Sequence, residues 1–450
     1  MSRCSWLEDM TAVFMANSNE LTSGTTLRRT FIVLATCYIS MSSSPALAGT
    51  TYGIFDARTL AMGGVSVASA NNDSAQFYNA ALLAFNEEIE ERTEDSRFLF
   101  PLLIPQVAKS IITIEELAQD DPAGAITRAV NDFNATPDAL NAQAVLEVTA
   151  GLDASLAELE DDDLFADIYF GMAISEPGKL QGAGFFLGTR ILAGGQSTVT
   201  GADRAILAAY QEGLTFVASN GGQGVAHPEL FDANGALIDP GGNFDSSVTA
   251  AGAVITEAGV AMSGQFHLFG QPIAAGFSFK VLDIETFEDI ERVVDDRLDV
   301  DQNTESEGTV NFDIGFVKQL GEYWRLGLAV KDLIPYNYDT SLGTTIRLRP
   351  RARFGVAYQK GRLQIAADAD LTQSEPLGTE RPTQEVAVGA EWTFESPFRL
   401  RAGYRYDIQS HRDGVASLGV GTLWRRLAVD LAYAEGNDAK AAALQFGIAF

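Results

Sequence analysis

Cysteine is nearly absent. The 450-residue chain has two, Cys4 and Cys37. Both precede Ala46-Leu47-Ala48, which has the small-residue spacing of an export cleavage site. Arg28 and Arg29 come before the short apolar run Phe31-Ile32-Val33-Leu34-Ala35, so residues 1–48 form a signal peptide with an amino-terminal extension, cleaved near Ala48. A rival cleavage signal of the lipoprotein kind lies at Leu34-Ala35-Thr36-Cys37. Cleavage after Ala48 would leave a mature chain without a thiol. That excludes disulfides, a CxxC redox pair and a cysteine nucleophile. Histidine is scarce too, at three residues: His227, His267 and His411. Ser263 stands four residues from His267 on one strand face, about 13 Å away at strand rise, too far for a catalytic pair. No catalytic residue, metal site or cofactor is assigned, and the reading is not that of an enzyme. Positive charge is also short, with 31 Lys and Arg against 60 Asp and Glu, a net charge of −29 and a pI near 4.4. Such a chain is repelled by phosphate backbones, so nucleic acid is excluded as a partner. The acidic stretch Asp299–Glu305 resembles a calcium loop but lacks the glycine at Thr304 and the glutamate at Val310. Long apolar runs are missing as well, and Phe31–Ala35 is too short to cross a bilayer as a helix.

What the chain has instead is alternation. Hydrophobic residues make up 46% and the mean hydropathy is +0.03, compatible with strands that turn only alternate residues to lipid. In the last ten residues, Leu444, Phe446, Ile448 and Phe450 share one face, while Ala443, Gln445, Gly447 and Ala449 share the other. A terminal strand of this kind closes an outer-membrane β-barrel and is what barrel assembly machinery would take up. From Phe165 onward the same period of two recurs, with Gly182–Ile191 as the second such strand. Residues 192–258 are Gly- and Ala-rich and carry no clear period. Beyond Val260, short turns at Gly270-Gln271, Leu320-Gly321-Glu322, Lys360-Gly361, Glu395-Ser396-Pro397 and Arg425 alternate with longer connections at 283–307, 332–350, 372–383, 408–414 and 435–440. Outer-membrane barrels put short turns on the periplasmic side and long loops outside. Counting back gives an all-β fold, a transmembrane antiparallel barrel of about fourteen strands over 97–450. Arg97–Ala108 is the first strand despite Pro101 and Pro105, and a helical extracellular insertion spans 109–164. The same parity puts 192–258 outside.

The apolar faces carry Trp324, Trp392, Tyr404, Tyr406, Trp424 and Tyr433, as aromatic girdles in outer-membrane lipid require. The other faces carry Arg325, Arg351, Arg353, Arg399, Arg401 and Arg405 with Asp368, Asp370, Glu385, Glu391, Asp407 and Asp430. The plainer reading is a solvated lumen whose charges avoid lipid. The functional reading is a polar wall that anchors a plug or a ligand carboxylate.

Residues 49–96 precede the barrel. They hold a small-residue block with Met62, Gly63 and Gly64, then a polar run, then Asn79, Ala80 and Ala81. This stretch resembles the start of FadL-type outer-membrane barrels, in particular the relatives named conjugal transfer protein TraF. Those carry a Met-Gly-Gly block followed by Asn-Pro-Ala, and here Ala80 replaces the proline. The absence of thiols separates the chain from the thioredoxin-like protein that shares the TraF name. The resemblance implies that 49–96 folds into the lumen as a plug. It also implies passive, plug-gated uptake of a hydrophobic ligand. The TraF-type relatives imply an alternative, a non-transporting envelope component that supports conjugal transfer or secretion.

Overall fold

The computed structural model describes residues 47–48, 51–84, 98–160, 163–222, 224–268, 271–292, 304–374, 381–395 and 397–449. Residues 1–46, on which the expected signal peptide falls, the acidic run 87–95, most of 299–305 and the terminal Phe450 lie outside them.

Fourteen antiparallel strands close into a barrel. The first seven are β1 (Phe98–Ala108), β2 (Asp163–Glu176), β3 (Gln181–Thr198), β4 (Ser247–Leu268), β5 (Gln271–Arg292), β6 (Glu305–Leu320) and β7 (Trp324–Lys331). The second seven are β8 (Arg351–Lys360), β9 (Leu363–Asp370), β10 (Glu385–Thr393), β11 (Phe398–Asp407), β12 (Val415–Trp424), β13 (Leu427–Glu435) and β14 (Ala439–Ile448). Each pairs with the next, and β14 returns to β1. The strand pattern follows from burial. Leu418, Val420, Leu431, Leu444 and Phe446 point outward and are exposed, while Ser417, Ala432, Ala443 and Gln445 point inward and are buried. An apolar exterior on a closed sheet, with every strand paired, is built for a bilayer. No helix among the described residues is long and apolar enough to cross one.

The connections segregate by end. The turns after β2, β4, β6, β8, β10 and β12 are short and share one end, and all the large inserts share the other. Three details differ from the sequence expectation. First, β3 runs to Thr198 and β4 starts at Ser247, so only 199–246 forms an insert and the ends of 192–258 are wall. The residues there are Gly and Ala because the paired strands approach closely: a Cβ on Gly195 would lie 2.2 Å from the Thr249 carbonyl oxygen. Second, 332–350 contains its own hairpin, Tyr336–Asp339 with Thr345–Leu348. Third, the connection between β13 and β14 is a tight turn, because pairing continues to Glu435 and Lys440.

Strand length is uneven. β4 and β5 have 22 residues each, whereas β7 and β9 have eight. At about 3.4 Å per residue, one side of the barrel stands tens of ångströms taller than the other. Leu192, Ala253, Leu282 and Ile284 on the inner face of this tall wall pack against Tyr338, Ile346 and Leu348 of the extra hairpin.

Residues 51–84 lie inside the barrel. They form two single-turn helices, α1 (Ala57–Ala61) and α2 (Ala75–Tyr78), and a 3₁₀ turn over Ala80–Ala84. At the end with the large inserts, α3 (Lys109–Asp120), α4 (Pro122–Ala135), α5 (Ala139–Leu159) and α6 (Gly201–Ser219) form a cap. Asp121, Asp138 and Thr200 cap α4, α5 and α6 through Gly124, Asn141 and Asp203 backbone N–H groups,. Ile126, Phe133, Leu152, Leu156, Leu207 and Leu214 make one core from both inserts.

The lumenal segment as candidate functional site

The local chain dictates how the segment turns. Asp56 caps α1 by accepting from the Thr59 N–H (2.9 Å) and hydroxyl (2.7 Å). At the other end, Gly63 N–H donates to Leu60 O (3.2 Å) and Gly64 N–H to Thr59 O (2.8 Å). This is a Schellman closure, which needs positive φ after the cap. Gly63 supplies φ +74° and Gly64 φ +98°. The wall is shaped to match: a Cβ on Gly403 would lie 2.1 Å from the Met62 carbonyl carbon.

Polar contacts from many strands then hold the segment. The α1 side meets the second half of the barrel. Arg58 donates to Glu391 Oε2 (3.1 Å), to Gln364 Oε1 (3.0 Å) and to Ser69 O (2.9 Å). Ala57 N–H donates to Gln445 Oε1 (2.7 Å), and the Ser417 hydroxyl to Ala61 O (3.0 Å). One oxygen of Asp368 accepts from the backbone N–H groups of Ser66 (2.7 Å) and Val67 (2.9 Å). Asn79 is the matching tie on the other side. Its amide donates to Val67 O (2.8 Å) and to Phe316 O of β6 (3.2 Å), and its oxygen accepts from Ala81 N–H (3.1 Å). Ala80 opens the 3₁₀ turn. At that position a helix loses nothing to a residue without an N–H, so the family's proline and this alanine suit the same backbone.

The lumen charges are gathered into ion-pair groups. Arg401 bridges Glu391 (2.6 Å) and Asp430, and Glu391 also binds Arg58. Arg353 meets Asp370 (2.5 Å), Glu385 (3.4 Å) and Gly64 O (3.3 Å). Arg405 reaches Glu385 (3.9 Å) and Gln106 (2.9 Å). Arg351 pairs with Asp332 and donates to Thr51 O. Arg399 lines a small cleft with Asn71, Asp73 and Asp430, and Arg325 is half-buried on the inner face of β7. Phe446 points outward and Gln445 inward, while Ile448 ends the last strand.

Sequence reasoning missed a second group. Lys280 binds Asp332 (2.7 Å) and Asp313 (2.9 Å), and Arg190 binds Asp167 (2.6 Å) and the Thr51 hydroxyl (2.9 Å). The Lys331 ammonium lies 4.2 Å from the centre of the Phe55 ring, and the Arg353 guanidinium 4.5 Å from that of Tyr52. Phe55 packs in turn on Phe77, Tyr78 and Tyr169. The signal for this group was a charge on an inward-facing strand position next to an aromatic-rich lumenal segment. Such an array holds a chain segment in a low-dielectric space, where charge-assisted hydrogen bonds are strong.

Several solved structures resemble this one. The toluene transporter TodX of Pseudomonas putida has 11% identity and a TM-score of 0.44, covering 90% of this chain and 100% of that chain. A FadL homologue of Pseudomonas aeruginosa has 11% identity and a TM-score of 0.40, covering 90% and 98%. The monoaromatic hydrocarbon channel CymD has 11% identity and a TM-score of 0.33, covering 89% and 99%. No curated protein matches the sequence. The sequence model described as the F plasmid transfer operon protein TraF matches residues 76–370, nearly two-thirds of the chain, from α2 to the end of β9. The chain therefore belongs to the TraF family.

Proposed function

We propose that the protein is an outer-membrane barrel for passive, plug-gated uptake of hydrophobic small molecules. One observation carries this reading: residues 51–84 lie in the lumen, held to the wall by side-chain hydrogen bonds and ion pairs. A wall packed solid by its own side chains would have no part to move. A segment tied by Asn79, Arg58 and Asp368 does. The reading is tested with cells that lack the protein, supplied with a labelled fatty acid or toluene. Uptake falls on deletion and returns with the intact chain. Gly63→Val and Asn79→Ala alter it, because Val cannot adopt φ +74° without strain and Ala cannot bridge Val67 to Phe316,. Unchanged uptake on deletion, with a fall in mating or export efficiency, overturns this reading.

That second outcome would favour an envelope component that docks a partner. The cap gives it support: the inserts 109–162 and 199–246 carry eighteen Asp and Glu against three Lys and Arg. A surface so acidic at the outer end suits a cationic partner.

A further inference from the structure

Outside the lumen, a largely apolar cleft of about 390 Å³ lies between α3 and the tall wall. Ile111 and Ile114 line it from the helix, and Leu164, Ile191, Val254 and Phe287 from β2 to β5. This volume lies within the range of small-molecule sites, roughly 300–1,000 Å³. Strand parity puts most of its wall residues on the outward rows, with Phe165 and Gly194, paired with each other, on the inward rows. Ile191 pairs with Val254, and Val254 with Glu285. These positions share the outward rows of Phe185 and Leu187 on β3, Val260 and Met262 on β4, and Phe277 and Val281 on β5, all exposed to lipid. The cleft is thus on the bilayer side of the wall. Ile111 stands three residues beyond the end of β1, so the cleft lies at the outer rim of the lipid-facing band.

We propose that this cleft holds an acyl chain of an outer-leaflet membrane lipid, with α3 folded over it. Two observations choose this occupant. The cleft is continuous with the lipid-facing surface: Ile191 is 37% exposed and continues the row of Phe185 and Leu187. A chain reaches it from the bilayer without crossing water. Second, the described lining residues include no Lys, Arg or His, and the charged one among them is Glu285. Such a lining gives no counter-charge to the carboxylate of a free fatty acid. It suits a hydrocarbon chain whose headgroup stays outside. The site stands apart from residues 51–84, none of which lines it, and it does not depend on the uptake reading.

The test uses the full barrel reconstituted in nanodiscs containing a phospholipid with a diazirine near the end of one acyl chain. After irradiation, adducts are mapped by peptide mass spectrometry. Adducts are expected on 109–114 and 250–254 as well as on the row of Phe185 and Leu187. Ile114→Glu, on the helix, lowers the adducts at 109–114 and 250–254 at least fivefold and leaves those at 185–187 unchanged. Ala250→Phe fills the cleft from the wall side and has the same effect. Heat-shifted gel mobility reports that each variant is a closed barrel. If either fails to close, the wild-type adduct map decides. The proposal is overturned if 109–114 acquires no adducts, or if neither variant changes them. It is also overturned if a free diazirine fatty acid labels the cleft and the phospholipid does not.

Discussion

Arg401 exposes 1% of its side chain and stands between Glu391 and Asp430 on the wall. Removing it leaves the buried Glu391 with Arg58 alone and takes this cation from the half-buried Asp430. Breaking a buried pair on one side costs about 3–5 kcal/mol, far more than the loss of a surface pair. Arg401→Ala is therefore expected to lower the midpoint of urea unfolding in detergent strongly. Arg362→Ala, which removes an exposed pair with Glu395, leaves it nearly unchanged. Equal midpoints for the two variants would contradict this account of the lumen. His227 gives a residue-scale prediction outside the membrane. Its ring contacts Glu229 (2.7 Å) and Glu212 (3.3 Å), and these carboxylates hold its pKa above the ordinary value of about 6.5,. The contact contributes stability to the cap fully below that ordinary value and loses it as pH rises through the raised one. Proton NMR titration of the His227 ring checks this, and Glu229→Gln should bring the midpoint back down.

Among the elements, β1 departs furthest from the regular ladder. It pairs with β14 at Ala439–Ala441 and again at Gly447–Ile448, with a shift of register between. Six steps along β14 match seven along β1, so β1 carries an extra residue there. Its pairing with β2 also shifts, between Leu99 and Leu102. The cause lies in the sequence: Pro101 and Pro105 have no N–H to give a ladder, and prolines in sheets collect at bulges. The closing seam thus pairs at five positions in two stretches, whereas β12 and β13 pair without a break over nine residues. Hydrogen exchange should show amides of 99–107 exchanging faster than those of 416–424. Equal protection would mean that the seam is as firm as the rest.

For the whole molecule, the wall's ladder bonds run from strand to strand and do not pass through the lumen. A chain lacking 52–84 is therefore expected to keep the heat-shifted mobility of a closed barrel. Its conductance in planar bilayers should rise well above that of the full chain. A collapsed barrel, or unchanged conductance, would show that the segment is part of the wall or does not block it. Much of the architecture was legible in the sequence, because a lipid-facing strand has to write its outward residues at every second place. The charges from Arg351 to Asp430 were legible as inward for the same reason. The upper wall was not, since the small residues that let β3 and β4 pair closely, such as Gly195 and Ala250, carry no hydrophobic period. The partners of Arg58, Lys280 and Lys331 were not legible either. They depend on which strands face each other across the lumen, and no local pattern records that.

The ties of residues 51–84 also set an order of events. Asn79 binds β6, Asp368 belongs to β9, Glu391 to β10, Ser417 to β12 and Gln445 to the last strand. Synthesis makes this segment before any of those strands. Its binding groups do not exist together until the sheet is complete. A segment made before most of the wall is thus the last to find its place. Until then its buried aromatic residues, Tyr52, Phe55, Phe77 and Tyr78, have to be kept from other company. A chain stopped short of β14 would hold a nearly finished wall around an unsettled beginning.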